Sequence, residues 1–276
     1  MAIEDTEYHR GLRLCLIGSG AISRRVAELI AANPDHPVEL VAIGVQPGTP
    51  AQLWWPARVQ RLEDPGELAA IRPDVVVEVA SRDAVSQWGE AALRCAPRFV
   101  VCSASAFTDD ALLAALLETA RACNSQLVIA PGALGGLQAL SGASLLAMES
   151  VTHTIAKPPA AWNGTAAAAV VDLATLAEAT TLFEGSARQV AAAYPMNANA
   201  AVLSSLAGIG LDGTRVRLVA DPSLRRNRHE IGARGAFGEL RLSIENEAMP
   251  SNPKTSDMTA LSLVRLLESY VGPLVV

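Results

Sequence analysis

Short apolar runs alternate with segments of helical period through the first half of the chain. Residues 12–17 form a compact apolar run, and residues 21–32 then place Ile22, Val26, Leu29 and Ile30 at the spacing of one helix face. Asn33 and Pro34 end that helix. Residues 38–45, 75–79, 99–102 and 128–130 read as further strands, with helices over 84–94 and 109–122, and the series closes at Pro131-Gly132. Strands alternating with helices predict an open, parallel α/β sheet. After about residue 135 the rhythm changes. An alanine-rich helical stretch leads into strand-like segments at 150–156, 215–220 and 239–245, an order that predicts an antiparallel or mixed sheet in a second, α+β domain. Residues 261–270 regain helical period after Asn252-Pro253 and are expected to pack back on the first domain.

Half of the 276 residues are hydrophobic, 18% are charged, and the formal net charge is −6. That is ample apolar content for two cores. An acidic balance without a dense Lys/Arg run argues against nucleic acid as a partner. No apolar run reaches the ~18 residues of a membrane span, since Asp172 breaks the greasiest stretch at 165–176. Glu4, Asp5 and Glu7 stand where a signal peptide would be basic, so a cytoplasmic protein without a membrane partner is expected. Cys15, Cys95, Cys102 and Cys123 match no zinc pair and no redox motif, so buried thiols and no metal are expected. Trp54, Trp55 and Trp88 are open to two readings, a subunit contact or the core.

Gly18-Ser19-Gly20-Ala21-Ile22-Ser23 follows the first strand and opens the first helix. A dinucleotide site needs Gly18 for a tight turn and Gly20 for backbone approach to a pyrophosphate, with the helix N-terminus at Ala21 and Ile22 stabilising its charge. Ser23 stands where the full pattern has a third small residue, which predicts slightly wider helix–strand packing. The acidic residue that would hold the ribose hydroxyls is absent from 44–46, where Gln46 is neutral, and Arg24 and Arg25 lie nearby, so NAD and NADP are both expected to bind. The chain is thus read as a Rossmann-type dinucleotide-binding domain over 1–134, with 253–276 returning to it, and an α+β catalytic domain over 135–252.

Several further strings occur in a set order: Pro131-Gly132-Ala133-Leu134-Gly135-Gly136, Lys157-Pro158-Pro159, Phe183-Glu184-Gly185-Ser186-Ala187, Tyr194-Pro195-Met196-Asn197-Ala198-Asn199, Asn227-Arg228-His229-Glu230-Ile231 and Asn252-Pro253-Lys254-Thr255-Ser256. Together they resemble the L-aspartate dehydrogenase family from about residue 12 to residue 270. The resemblance implies NAD- or NADP-dependent oxidation of L-aspartate to iminoaspartate, which feeds NAD biosynthesis or hydrolyses to oxaloacetate and ammonia. It implies His229 as the catalytic residue and Ala133 and Asn199 as cofactor contacts; a homodimer is expected separately, as the partner of the chain. Gly132 stands where the family usually has serine, Gln138 where aspartate is common and Met196 where lysine is common. Alternatives are a dehydrogenase of another small dicarboxylic amino or imino acid, and a non-catalytic redox sensor.

The residues themselves supply a compatible chemistry. An imidazole titrates near working pH, and of the four histidines His9 lies in the polar leader, His36 in a turn and His153 within a probable strand, leaving His229. Asp221 and Glu230 are candidates to orient it, although strand alternation turns Glu230 to the opposite face, and Asp221 before Pro222 also suits a turn cap. Lys157, Arg188 and Lys254 are candidate carboxylate partners, Arg188 being better suited to an exposed helix face. On an extended segment Asn197 and Asn199 would present both amides to one side, to nicotinamide or substrate; otherwise they cap a helix.

Overall fold

The computed structural model describes residues 11–249 and 251–275, with Pro253 and Lys254 described by backbone alone. The chain divides into two compact units, one comprising the residues up to Ser103 with Ala111–Ala130 and those from Ala260 onward, the other Ala104–Asp110 with Pro131–Thr259. The sequence pattern places the boundaries at 134/135 and 252/253. In the structure they fall at 130/131 and 259/260, and residues 104–110 join the second unit because side chains of that unit hold their backbone, as described below.

In the first unit β1 (Leu12–Ile17), α1 (Ala21–Ala31), β2 (Val38–Gly44), β3 (Gln60–Leu62), the single turn α2 (Leu68–Ile71), β4 (Val75–Glu78), α3 (Arg82–Cys95), β5 (Arg98–Val101), α4 (Asp110–Cys123) and β6 (Gln126–Ile129) follow in order. The strands pair parallel in the order β3-β2-β1-β4-β5-β6. That is the doubly wound Rossmann arrangement, with its switch point between β1 and β4. The short edge strand β3 was not announced by the apolar pattern, since Gln60 and Arg61 are polar and exposed. Helix α1 buries Ser23, Val26, Ala27 and Ile30, the i, i+3, i+4, i+7 stripe. Helix α3 starts where Ser81 Oγ accepts from the Ala84 N–H at 3.2 Å, and it buries Trp88 on its inner face. Trp54 and Trp55 are half-buried.

The second unit contains α5 (Leu137–Ala143), β7 (Met148–Lys157), β8 (Thr180–Ser186), α6 (Ala187–Ala193), α7 (Ala198–Ala207), the turn α8 (Gly210–Gly213), β9 (Arg215–Ala220), β10 (Asn227–Gly235) and β11 (Gly238–Asn246). A small hairpin of β12 (Ala248–Met249) and β13 (Asn252–Ser256) follows, and Ser256 Oγ accepts from the Met258 N–H at 3.1 Å at the start of α9 (Met258–Ser269). The five-strand sheet runs β11-β10-β7-β9-β8 and is mixed: β7 and β9 are parallel, the other pairs antiparallel. Alternation gives it one apolar face, as in β9, where Val216, Leu218 and Ala220 are buried while Arg215 and Arg217 are exposed. Helix α7 packs on β7 from that face and is buried along most of its length, Ser204 and Ser205 included. No helix among the described residues is long and apolar enough to cross a membrane.

Candidate active site

At the switch point of the first unit, Gly18 leaves β1 with φ +110°, and a Cβ on it would lie 2.8 Å from the Ala80 Cβ and 3.1 Å from its Cα. A side chain there is excluded by conformation and by contact. Gly20 is the N-cap residue of α1 and no side chain caps the helix. A Cβ on Gly20 would meet nothing within 4 Å, so the start of α1 is open on that side. An uncapped helix start with free approach fits a pyrophosphate, whose charge the helix dipole stabilises. Beside it lies a cavity of ≈ 270 Å³ lined by Gly18, Ser19, Gln46, Thr49, Ser81 and Gln87. Ser23 is fully buried, and its hydroxyl donates to the Gly18 carbonyl at 2.7 Å, so it ties the turn to the helix where a third glycine would merely make room. Arg24 forms an ion pair with Glu28 at 2.7 Å.

The turn rests in addition on a buried carboxylate. Glu78, at the end of β4, has no exposure and accepts four hydrogen bonds: from the Ala80 and Ser81 N–H groups at 2.7 and 2.9 Å, and from the Ser103 N–H and hydroxyl at 3.0 and 2.8 Å. Burial pushes its pKa up, while these donors oppose the shift. The backbone of Ala80 that Glu78 fixes is the same backbone against which Gly18 lies.

In the second unit, register brings a set of polar groups onto the covered face of the sheet. Ile155 of β7 lies opposite His229 of β10, and Ile231 opposite His153. His153 and Lys157 therefore flank Ile155 on the His229 side of the sheet. His229 is 6% exposed and lines a cavity of ≈ 230 Å³ with Leu134, Gly135, Gly136 and Leu242. Its Nδ1 lies 3.1 Å from Nε2 of His153, whose Nδ1 lies 2.8 Å from Ser204 Oγ on α7. Burial, and secondly the Lys157 charge, pull the His229 pKa down to about 3; burial and the neighbouring ring pull His153 well below its ordinary value. Both rings are neutral at working pH. Lys157 Nζ donates to Asn197 Oδ1 at 2.6 Å and stands 5.3 Å from the Trp162 ring, with burial lowering its pKa to about 8. It lines a second cavity of ≈ 620 Å³ with Asn197, Arg225, Arg226 and Asn246.

Comparison with known proteins agrees with both halves. Residues 138–270 match the family model described as the C-terminal part of aspartate dehydrogenase, and residues 18–130 that of the NAD-binding domain of homoserine dehydrogenase. The L-aspartate dehydrogenase of Brucella anthropi is 50% identical over 263 residues, spanning 95% of this chain and 98% of that protein. This chain belongs to the L-aspartate dehydrogenase family. The L-aspartate dehydrogenase of Pseudomonas aeruginosa is 40% identical over 94% of this chain and 97% of its own length. The crystal structure of aspartate dehydrogenase from Thermotoga maritima superposes with a TM-score of 0.76 at 25% identity, covering 96% of this chain and 99% of that one.

The residues carried by the aspartate dehydrogenase motifs fall into distinct settings. The Ala133 carbonyl accepts from Asn246 Nδ2 at 2.9 Å, which anchors the 131–136 loop to the end of β11. Asn199 Oδ1 accepts from the Ser105 N–H at 3.0 Å. Of the two alternatives for Asn197 and Asn199, the structure excludes the extended segment: Pro195–Asn197 is a 3₁₀ turn and Asn199 lies in the first turn of α7, so one amide goes to Lys157 and the other to Ser105. Asn197 occupies the N-cap position without a side-chain cap. Lys254 lies in β13, but its side chain, like all of His9, falls outside the described residues. Arg188 is committed elsewhere, to Asp212 at 2.8 and 3.0 Å, Asp110 at 3.2 Å and the Thr108 carbonyl at 3.0 Å. Asp221 caps its own turn through the Ser223 N–H at 2.9 Å and hydroxyl at 2.6 Å, and Glu230 pairs with Arg228 at 3.3 Å on the opposite face, so neither orients the His229 ring. Sequence reasoning passed over His153, Ser204 and Glu78. The one available signal was the even, four-residue separation that puts His153 and Lys157 on the same strand face.

Two neutral buried imidazoles have a cost in acid. Their folded pKa values lie below the unfolded value of ~6.5, so their stabilisation is complete above about pH 7 and is lost as pH falls through 6.5 toward the folded values, by up to about 1.4 kcal/mol per pH unit for each ring. Denaturant unfolding at pH 7.5 and pH 5.5 is expected to show a smaller acid loss for the H153L/H229L double variant than for the parent. Equal losses would refute the neutral pair.

Proposed function

We propose that this protein oxidises L-aspartate to iminoaspartate with NAD or NADP, His229 managing the substrate's amine proton. The observation that carries the reading is the His229 ring, from the Asn-x-His motif, lining a cavity on the same sheet face as the Lys157 ammonium. The substrate ammonium must lose a proton before Cα can release hydride. When bound, the nicotinamide ring accepts that hydride. The open N-terminal turn of α1 at Gly18, Gly20, Ala21 and Ile22 holds the pyrophosphate, and Ala133 and Asn199 are proposed contacts of the nicotinamide. Lys157 remains protonated at neutral pH and holds a substrate carboxylate as a point charge, steadied by Asn197. A dicarboxylate bound before the ring offsets the Lys157 charge and raises the His229 pKa toward the working range, where an imidazole is an efficient base. Lys254 is a further proposed carboxylate partner.

Gly132 and Gln138 favour a second reading, in which a different small dicarboxylic amino acid is the preferred substrate. Iminoaspartate is expected to serve pyridine nucleotide biosynthesis or to hydrolyse to oxaloacetate and ammonia. A cytoplasmic location fits the free state of Cys15, Cys95, Cys102 and Cys123. A homodimer fits the fully exposed Leu53 beside half-buried Trp54 and Trp55, and light scattering on the full chain showing a monomer would remove that part.

Mixing the protein with L-aspartate and NAD or NADP is expected to generate reduced-cofactor absorbance, with other amino acids slower. A faster rate with another dicarboxylic amino acid selects the second reading. H229A is expected to lower kcat by about 10²-fold or more with cofactor KM nearly unchanged; near-parental turnover would reject His229. Gln46→Glu, placing a carboxylate two residues past the end of β2, is expected to weaken NADP at least about tenfold more than NAD. Equal effects on the two would mean that Gln46 does not face the ribose.

A further inference from the structure

The strongest feature that the proposed chemistry does not use is the line of groups behind the His229 ring. It runs from His229 on β10 to His153 on β7 and Ser204 on α7, and ends at the Ala201 carbonyl, 3.0 Å from Ser204 Oγ. Every member is buried. We propose that His153 is the positioning residue of the site: held by Ser204, it fixes the ring of His229 and selects the tautomer that bears its hydrogen on Nδ1 and its lone pair on Nε2. This assignment rests on His229 as the proton-handling group and adds the atom at which the proton is received.

The direction of the line follows from pairing its hydrogens. Ser204 has one hydroxyl hydrogen and the Ala201 carbonyl takes it; Ser205 Oγ donates to the same carbonyl at 2.7 Å, the two hydroxyls approaching it together. The Ser204 oxygen then accepts, which puts the His153 hydrogen on Nδ1 and leaves Nε2 with a lone pair. Facing that lone pair at 3.1 Å, His229 Nδ1 carries the hydrogen. In this sense each hydrogen of the line has an acceptor. The opposite sense makes one bond fewer, because the single Ser204 hydrogen would have to leave the Ala201 carbonyl for His153 Nδ1. Three hydrogen bonds along the line in the first sense against two in the opposite one favour the first.

The chemical consequence is directional. With Nδ1 engaged, Nε2 is the basic nitrogen, and when it takes the ammonium proton of the substrate the imidazolium still donates Nδ1–H to His153. A neutral imidazole as the rear acceptor supports the ring without the strong pull of a carboxylate. The ring consequently returns its proton readily, which suits a site that exchanges it with an amine or imine in either direction. His153 touches neither substrate nor cofactor in this account.

The test reads the tautomer directly. Long-range ¹H–¹⁵N correlation spectra of the full-length, ¹⁵N-labelled protein at pH 7.5, assigned with His9→Gln and His36→Gln variants, are expected to show pyridine-type Nε2 and pyrrole-type Nδ1 signals for both His153 and His229. In H153L the His229 pattern is expected to move toward Nε2–H, with kcat on L-aspartate lowered about tenfold or more and cofactor KM unchanged. H153Q, whose side-chain carbonyl can accept from His229 Nδ1, is expected to recover kcat to within about threefold of the parent. S204A removes a single oxygen from a buried helix and is expected to move the His229 pattern in the same direction as H153L. An Nε2–H pattern for His229 in the parent, or unchanged His229 signals in S204A and H153L, would overturn the proposal. The ring signals need no substrate. A parent that shows the expected signals without aspartate turnover therefore fails as an aspartate dehydrogenase while this assignment stands, and the converse result removes His153 alone.

Discussion

A two-residue step along one strand sets the chemistry of the second unit. Because Ile155 pairs with His229, the neighbours of Ile155 on the same face, His153 and Lys157, fall on either side of the imidazole. One supplies a hydrogen-bond partner behind the ring, the other a positive charge. A slip of one residue in the β7–β10 register would turn both to the other face and put Thr152, Thr154 and Ala156 in the places of His153, Ile155 and Lys157. The buried positions Val151, Ile155, Ile231 and Ala233 hold the register, so hydrophobic packing determines where the polar groups meet.

The first unit solves a different problem with the same economy of parts. A pyrophosphate site requires backbone N–H groups that are left unpaired until the ligand arrives, and the turn carrying them must be held by something else. Ser23 holds it from the helix side through the Gly18 carbonyl, and Ala80 bounds it from the β4 side, fixed in turn by Glu78. The serine in place of a third glycine is thus part of the turn's support.

The fold was legible because its signals are local. The apolar runs of β1, β2, β4 and β5 and the helical stripe of α1 carry their period in contiguous residues. Much of the candidate site was not. His153 and His229 lie 76 residues apart and Ser204 lies 51 from His153, so their contact exists only once a register and a helix docking are given. For Asn197 and Asn199 the sequence leaves an extended segment and a helix start both open, because two-residue spacing aligns side chains only on a strand. The proline ahead of them starts a helical turn, which separates them. Glu78, flanked by valines, looked like the end of a buried strand; its four donors come from loops whose course the sequence does not specify.

Residues 104–110 stand in the middle of the first unit's strand–helix series, yet Asn199 binds the Ser105 amide and Arg188 binds the Thr108 carbonyl and Asp110, all within the second unit. The two units are therefore not separable at any single peptide bond. A fragment beginning at Pro131 would leave Asn199 and Arg188 without these partners, and a fragment ending at Ala130 would carry seven residues that belong elsewhere. Exchange of either unit with that of another dehydrogenase, by recombination or by engineering, has to transplant this interior segment together with the C-terminal half.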